Sequence, residues 1–287
     1  MKAGIVCLSN AKKKDYKDNL NTLVKTLEDM GVETVVSDYI FEREALVAGN
    51  VEEVSEAFMK LYKDPSIDFI FDISGGDLAN SVLDYIDYEI IKNNPKLFFG
   101  YSDLTTVINA ICERTKNPSV LYQIGNIIGE NKDIQIKNVS EFFKAYKDNK
   151  DLKAMKDLEF FNMHCKLYRG ESFSGTLVGG NIRCLLKLAG TKYFPETCGK
   201  VLLLEALSSE KANIIAFISQ LNQIGAFKGV KGVILGTFTS YESNIDNPDI
   251  CELFSKYAEG DFPIAKTEKI GHGKDSNAAV IGEYIRV

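Results

Sequence analysis

Residues 96–115 read KLFFGYSDLTTVINAICERT, and this stretch decides the architecture. KLFFG has the unbroken apolar run of a strand buried on both faces, and DLTTVINAICERT has helical spacing. Only Ser102 and its neighbours separate the two. A buried strand that passes so quickly into a helix is half of a strand–helix–strand unit, and the same alternation extends in both directions. Upstream, IDFIFDI (67–73) is a strong strand ending in SGGD, followed by a short helix through LANSVLDYI. Before it come the strand AGIVCL (3–8), the helix YKDNLNTLVKTLEDMG (16–31), the strand-like VETVVSDYI (32–40) and the helix VEEVSEAFMKLYKD (51–64). Leu20, Leu23, Val24 and Leu27 share one face of the first helix, and Gly31 ends it. SVLYQI (119–124) closes the series. Strands alternating with helices imply an α/β domain, a parallel sheet covered on both faces.

Beyond residue 130 the character changes. ENKDIQIKNVSEFFKAYKDNKDLKAMKD (130–157) predicts a helix followed by a linker, and a domain boundary is expected there, giving 1–150 and 151–287. The second half supplies EFFNMHCKLYRG as a surface strand, then SGTLVGGN, the helix NIRCLLKLAG, the buried strand KVLLLEAL and the helix AFISQLNQIG. GVILGTF, PIAKTEKI and AAVIGEYIRV are expected as three further strands. This is the pattern of a smaller, mixed α+β domain.

Composition narrows the function classes. The hydrophobic fraction is 45% and the charged fraction 26%, ordinary for a globular protein of 287 residues. A net charge of -6 argues against a nucleic-acid partner. No segment is apolar and long enough to cross a bilayer, and the first residues lack a secretory pattern, so a cytoplasmic location without membrane attachment is expected. The cysteines at 7, 112, 165, 184, 198 and 251 form no C-x-x-C pair and read as reduced thiols. No cofactor or metal is expected. GHGKDS (271–276) lacks the Ser or Thr and the upstream glycine of a phosphate loop, no G-x-G-x-x-G follows a strand, and two separated histidines make no zinc site.

Ligands of parallel sheets gather at the carboxyl ends of the strands, which draws attention to SGGD (74–77) and GYSD (100–103). Gly100 stands two residues before Ser102, where a sharp strand-to-helix turn needs a small side chain. Two readings of Ser102 and Asp103 are open: a helix N-cap, or a nucleophile with the following amide, that of Asp103, as oxyanion donor. Gly75 and Gly76 could supply further backbone donors or merely a tight turn. His272 lies between glycines in KIGHGKDS, either a placed base or an exposed loop histidine. His164 is a solvated strand residue. Glu205 ends the apolar run KVLLL, so it needs a partner or a cleft, and orienting a histidine is one such role. VGGN (178–181) before a helix could bind an anion on its amides, with Asn181 and Arg183 beside it.

Taken together, SGGD, IDYEIIKNNPKLFFGYSDL, GGNIRCLLKLAGTKYFP, KVLLLEA and IGHG occur in register along the chain and resemble the LD-carboxypeptidase family of serine peptidases. The resemblance implies a flavodoxin-like N-terminal domain, a smaller β-rich C-terminal domain, and a triad of Ser102, Glu205 and His272. It implies an oxyanion hole from the amides of Asp103 and of Gly75 or Gly76. Asn181 and Arg183, at the GGN turn, are candidate substrate contacts, Arg183 for the terminal carboxylate, with a surface helix arginine as its other reading. The implied reaction is hydrolysis of the amide to a C-terminal D-amino acid in murein tetrapeptides. The alternative is a microcin C-type immunity peptidase that cleaves aminoacyl- or peptidyl-adenylate analogues, and a non-catalytic binder is a further class. Ala206, LYQIGN and the absence of tryptophan depart from the family pattern, the last favouring the cell-wall peptide. A small peptide is the expected substrate and a homodimer the expected assembly.

Overall fold

Strand β1 (Lys2–Val6) sits inside the first sheet, and the computed structural model describes all 287 residues built around it. Helix α1 (Lys17–Asp29) leads to β2 (Glu33–Val36), and α2 (Val51–Lys63) to β3 (Phe69–Asp72). Helix α3 (Tyr88–Asn93) then leads to β4 (Leu97–Gly100), and α4 (Thr105–Thr115) to β5 (Ser119–Leu121). The strands run parallel in the order β2-β1-β3-β4-β5, the doubly wound order expected of a flavodoxin-like sheet. Every residue of β3 and β4 is buried, as a sheet covered on both faces requires. Leu20, Leu23 and Leu27 form the buried stripe of α1, and Gly31 ends it at φ 78°. Helix α2 starts on a reciprocal capping box between Asn50 and Glu53.

Helix α5 (Lys132–Asp148) precedes β6 (Lys166–Arg169), β7 (Ser174–Asn181) and the short α6 (Ile182–Leu186). Then follow β8 (Val201–Ala206), α7 (Lys211–Gln223), β9 (Gly232–Phe238), α8 (Thr239–Glu242), α9 (Ile250–Tyr257), β10 (Ile264–Lys266), β11 (Ala279–Ile281) and β12 (Tyr284–Arg286). The second sheet runs β12-β7-β8-β9-β10-β6, with a parallel centre and antiparallel edges. Helices α1 and α5 cover the outer face of the first sheet. Helices α2 to α4 lie on its other face, in one continuous core with Leu177, Val201, Leu203 and Ile234 of the second sheet. Helices α6, α7 and α9 close the far side. Helix α4 is therefore buried between the two sheets. No helix is long and apolar enough to cross a membrane.

Three stretches read in the sequence fold differently from expectation. AAVIGEYIRV is two strands: Gly282 turns the chain at φ 97°, so β11 pairs with β5 in the first sheet and β12 with β7 in the second. EFFNMHCKLYRG forms a strand only at its end, because Glu159–Phe161 is a 3-10 turn and His164 has φ 47°. LANSVLDYI contains 3-10 turns over Ala79–Tyr85 rather than an α-helix.

Candidate active site

The turn after β4 lifts one side chain out of the sheet. Tyr101 is extended, and Ser102 then takes φ 55°, the left-handed region that serine seldom adopts. Gly100 allows this steeply bent path, since a Cβ there would lie 2.6 Å from Leu104 Cβ. Neither Ser102 nor Asp103 caps helix α4, so the N-cap reading of this turn does not hold. The Asp103 side chain turns inward instead and is fully buried. One carboxylate oxygen accepts from Ser9 Oγ (2.7 Å) and Ala79 N (2.8 Å), and the other from Lys187 Nζ (2.6 Å).

The glycine loop lies at the carboxyl ends of β1 and β3, where the strand order reverses. Asp72, buried at the end of β3, accepts from Leu8 N (2.8 Å) and Ser74 N (2.7 Å) and so ties the two loops together. Burial pushes its carboxyl up to about 6, with the hydrogen bonds from Ser74 and Leu8 acting the other way. In the sequence Asp72 carries the same signal as Glu205, a carboxylate ending an apolar run. Asn10 bridges to Gly75 and accepts from Asp77 N at 2.9 Å. Only the second glycine of the pair is sterically required. Gly76 has φ 129° and packs on Asn10, whereas a Cβ on Gly75 would meet open space.

Glu205 and His272 meet on the second sheet. Glu205 is fully buried in β8, with Oε2 2.8 Å from His272 Nδ1 and Oε1 accepting from Asn181 Nδ2 at 3.0 Å. A carboxylate only accepts, which places a proton on His272 Nδ1, and in the neutral imidazole Nε2 then keeps its lone pair. That Nε2 is buried and has no hydrogen-bond partner, so Ser102 Oγ is not bonded to it. The Tyr101 ring, one residue before the serine, packs edge-on to the His272 ring with centroids 4.8 Å apart. Its phenol is pushed well above the usual range by burial and by the Glu205 carboxylate, yet the hydroxyl makes no well-aligned hydrogen bond. Gly236 in β9 lets the histidine loop approach, since a Cβ there would lie 2.4 Å from the Ile270 carbonyl and 3.0 Å from Glu205 Cβ. The glycine inside GVILGTF was the signal for this close contact.

Three amides of the GGN turn and the helix start after it are taken within the protein. Gly179 N donates to Asn109 Oδ1 (2.9 Å), Asn181 N to Thr105 Oγ1 (3.0 Å), and Cys184 N to the Asn181 side chain (3.3 Å). Two of these amides dock α4 and the third is capped at the start of α6. Arg183 is half exposed, paired with Asp77 and donating to the Gly76 carbonyl at 3.2 Å. His164 is exposed and 2.7 Å from Glu159 Oε1, in contact with none of these groups. Lys187, Ser9 and Asn10 went unnoticed in the sequence because nothing local distinguishes them.

Comparison with known proteins matches residues 3–122 to the LD-carboxypeptidase N-terminal domain and residues 174–287 to the LD-carboxypeptidase C-terminal domain. A putative carboxypeptidase of Treponema pallidum (strain Nichols) is 27% identical over 277 residues, 90% of this chain and 81% of that protein. A probable murein peptide carboxypeptidase of Bacillus subtilis (strain 168) is 25% identical over 269 residues, 92% of this chain and 82% of that protein. The solved structure of MccF in complex with glutamyl sulfamoyl guanosine is similar in fold, with a TM-score of 0.85 at 20% identity, over 100% of this chain and 92% of that one.

Proposed function

The chain belongs to the LD-carboxypeptidase family of serine peptidases, and from that premise we propose that Ser102, Glu205 and His272 are its catalytic triad and that it removes the C-terminal D-amino acid from murein tetrapeptides. The observation that carries this is the buried Glu205–His272 pair, whose free Nε2 is unpartnered and whose ring packs on the residue before a left-handed serine. His272 Nε2 takes the proton from Ser102 Oγ as that oxygen attacks the scissile carbonyl. The amides of Asp103 and of Gly75 or Gly76 hold the oxyanion. His272 then gives the proton to the leaving amine, and water, activated by the same nitrogen, hydrolyses the acyl-enzyme. Glu205 fixes the tautomer, and Asn181 in turn steadies Glu205. Arg183 is assigned to the terminal carboxylate of the substrate, supported by its exposed guanidinium beside Gly76. A cytoplasmic homodimer completes the proposal, and six free cysteines agree with a reducing compartment.

The test is a panel of murein tetrapeptides and aminoacyl or peptidyl sulfamoyl-adenylates, with products identified by mass spectrometry. Release of the terminal D-amino acid, lost by a factor of about 10³ or more in both Ser102→Ala and His272→Ala, is expected. Cleavage of the adenylates alone would move the substrate assignment to the immunity-type activity. Near-wild-type turnover in both variants would overturn the triad.

A further inference from the structure

Helix α6 spans five residues, yet side chains on it and at its two ends reach Glu205, the glycine loop and Asp103. Its N-cap, Asn181, donates to Glu205 at 3.0 Å. Arg183, two residues on, pairs with Asp77 and holds the Gly76 carbonyl. Just past its end, Lys187 Nζ donates to Asp103 Oδ1 at 2.6 Å and to the Asp77 carbonyl at 2.9 Å, with Asp77 Oδ1 3.4 Å away. Asp103 directly follows the serine, and its carboxylate is fully buried. Two of its three partners, Ser9 and the Ala79 amide, are neutral, and Lys187 is its only ion-pair partner. A buried carboxylate stripped of its cation is strongly disfavoured, so this bond cannot be lost without moving the turn or changing its charge.

From this geometry we propose that Lys187 is a positioning residue. By neutralising Asp103 from the second sheet's side of the molecule, it holds the 101–104 turn, and with it the nucleophile and the oxyanion amide, in register with the Glu205–His272 pair that the same helix steadies through Asn181. The inference rests on the triad assignment above. The acceptors of its ammonium, Asp103 Oδ1, the Asp77 carbonyl and, more distantly, Asp77 Oδ1, all belong to these two residues, so Lys187 acts through the turn. Arg183 does not duplicate it, because its guanidinium is engaged by Asp77 and Gly76.

The experiment compares the wild type with Lys187→Met, Lys187→Arg and the double variant Lys187→Met/Asp103→Asn. It reads kcat and KM on the tetrapeptide and the rate at which a fluorophosphonate modifies Ser102. Lys187→Met is expected to lower kcat and the modification rate about 30- to 100-fold, the scale of a displaced reacting group, with KM within about twofold. Lys187→Arg should recover most of that loss, and so should the double variant, since a neutral amide at 103 needs no cation. Wild-type rates in Lys187→Met overturn the inference, as does a loss confined to KM, which would make Lys187 a substrate ligand. Equal impairment of all three variants also overturns it, because the lysine would then matter only for packing. If Lys187→Met fails to fold, the arginine and double variants decide between the same outcomes. A wild-type chain that the probe leaves unmodified overturns the triad and this inference together. A wild-type chain that is modified at the same rate as Lys187→Met overturns this inference alone.

Discussion

Ser102 holds a backbone conformation that costs a non-glycine residue about 1 kcal/mol, and the cost is the same whether or not the hydroxyl is present. Ser102→Gly is therefore expected to unfold at higher urea than Ser102→Ala, by about 1 kcal/mol, while both lose turnover. Equal midpoints would mean the turn is unstrained. Asp72 gives a second prediction at this scale. Its carboxyl is raised from 3.8 to about 6 by burial, so the folded chain holds that proton more tightly than the unfolded one. The resulting stability is present below about pH 4 and is lost as the pH rises through about 6. Urea midpoints taken from about pH 4 to 7 should show Asp72→Asn lacking this decline, a difference of about 3 kcal/mol across the window. A parallel decline in both proteins would rule it out. Single residues were legible where scarcity or context marked them: two histidines in the whole chain, and a glutamate ending three leucines. Lys187 looks like any helix lysine, because its meaning lies in a partner 84 positions away.

At the scale of elements, most of the strand–helix alternation of the first half is legible from period alone, since buried parallel strands are continuously apolar and their helices striped; the exception is the segment after β3, where LANSVLDYI forms 3-10 turns and the helix starts at Tyr88. At the GGN turn, α4 takes two of the amides that would otherwise be free for an anion. Asn109 presents its carboxamide to both the N–H and the carbonyl of Gly179 at 2.9 Å, replacing a strand neighbour. Gly180, at φ 136°, lets Thr105 approach so closely that a Cβ would stand 2.7 Å from its hydroxyl oxygen. Gly180→Ala is accordingly expected to cost about 3 kcal/mol by combined strain and overpacking, and to lower kcat by pushing α4 and the Ser102 turn away from β7. A thermal melt and a rate measurement check both parts. A stable variant with full activity would show that this contact does not set the register.

Across the whole molecule, the proposed site is assembled from two sheets, so its precision depends on how firmly those sheets are joined. Composition and period could not reveal the joint, because pairing between strands distant in sequence leaves no local mark. AAVIGEYIRV reads as one apolar strand and folds as two that belong to different sheets. Between them Gly282 turns at φ 97°, and a Cβ there would lie 2.8 Å from Cys112 Sγ and 3.3 Å from Pro118 Cα, at the end of α4 and the start of β5. One tight turn thus fastens the edge of the first sheet to the edge of the second, alongside the core that runs between them. Gly282→Ala should cost about 2 kcal/mol through the left-handed backbone and the contact with Cys112. If the turn works as a joint, hydrogen exchange followed by mass spectrometry will show peptides containing β5 and β7 losing protection together, although they lie in different sheets. Loss of protection confined to residues 279–287 would mean that the continuous core alone holds the two halves in register.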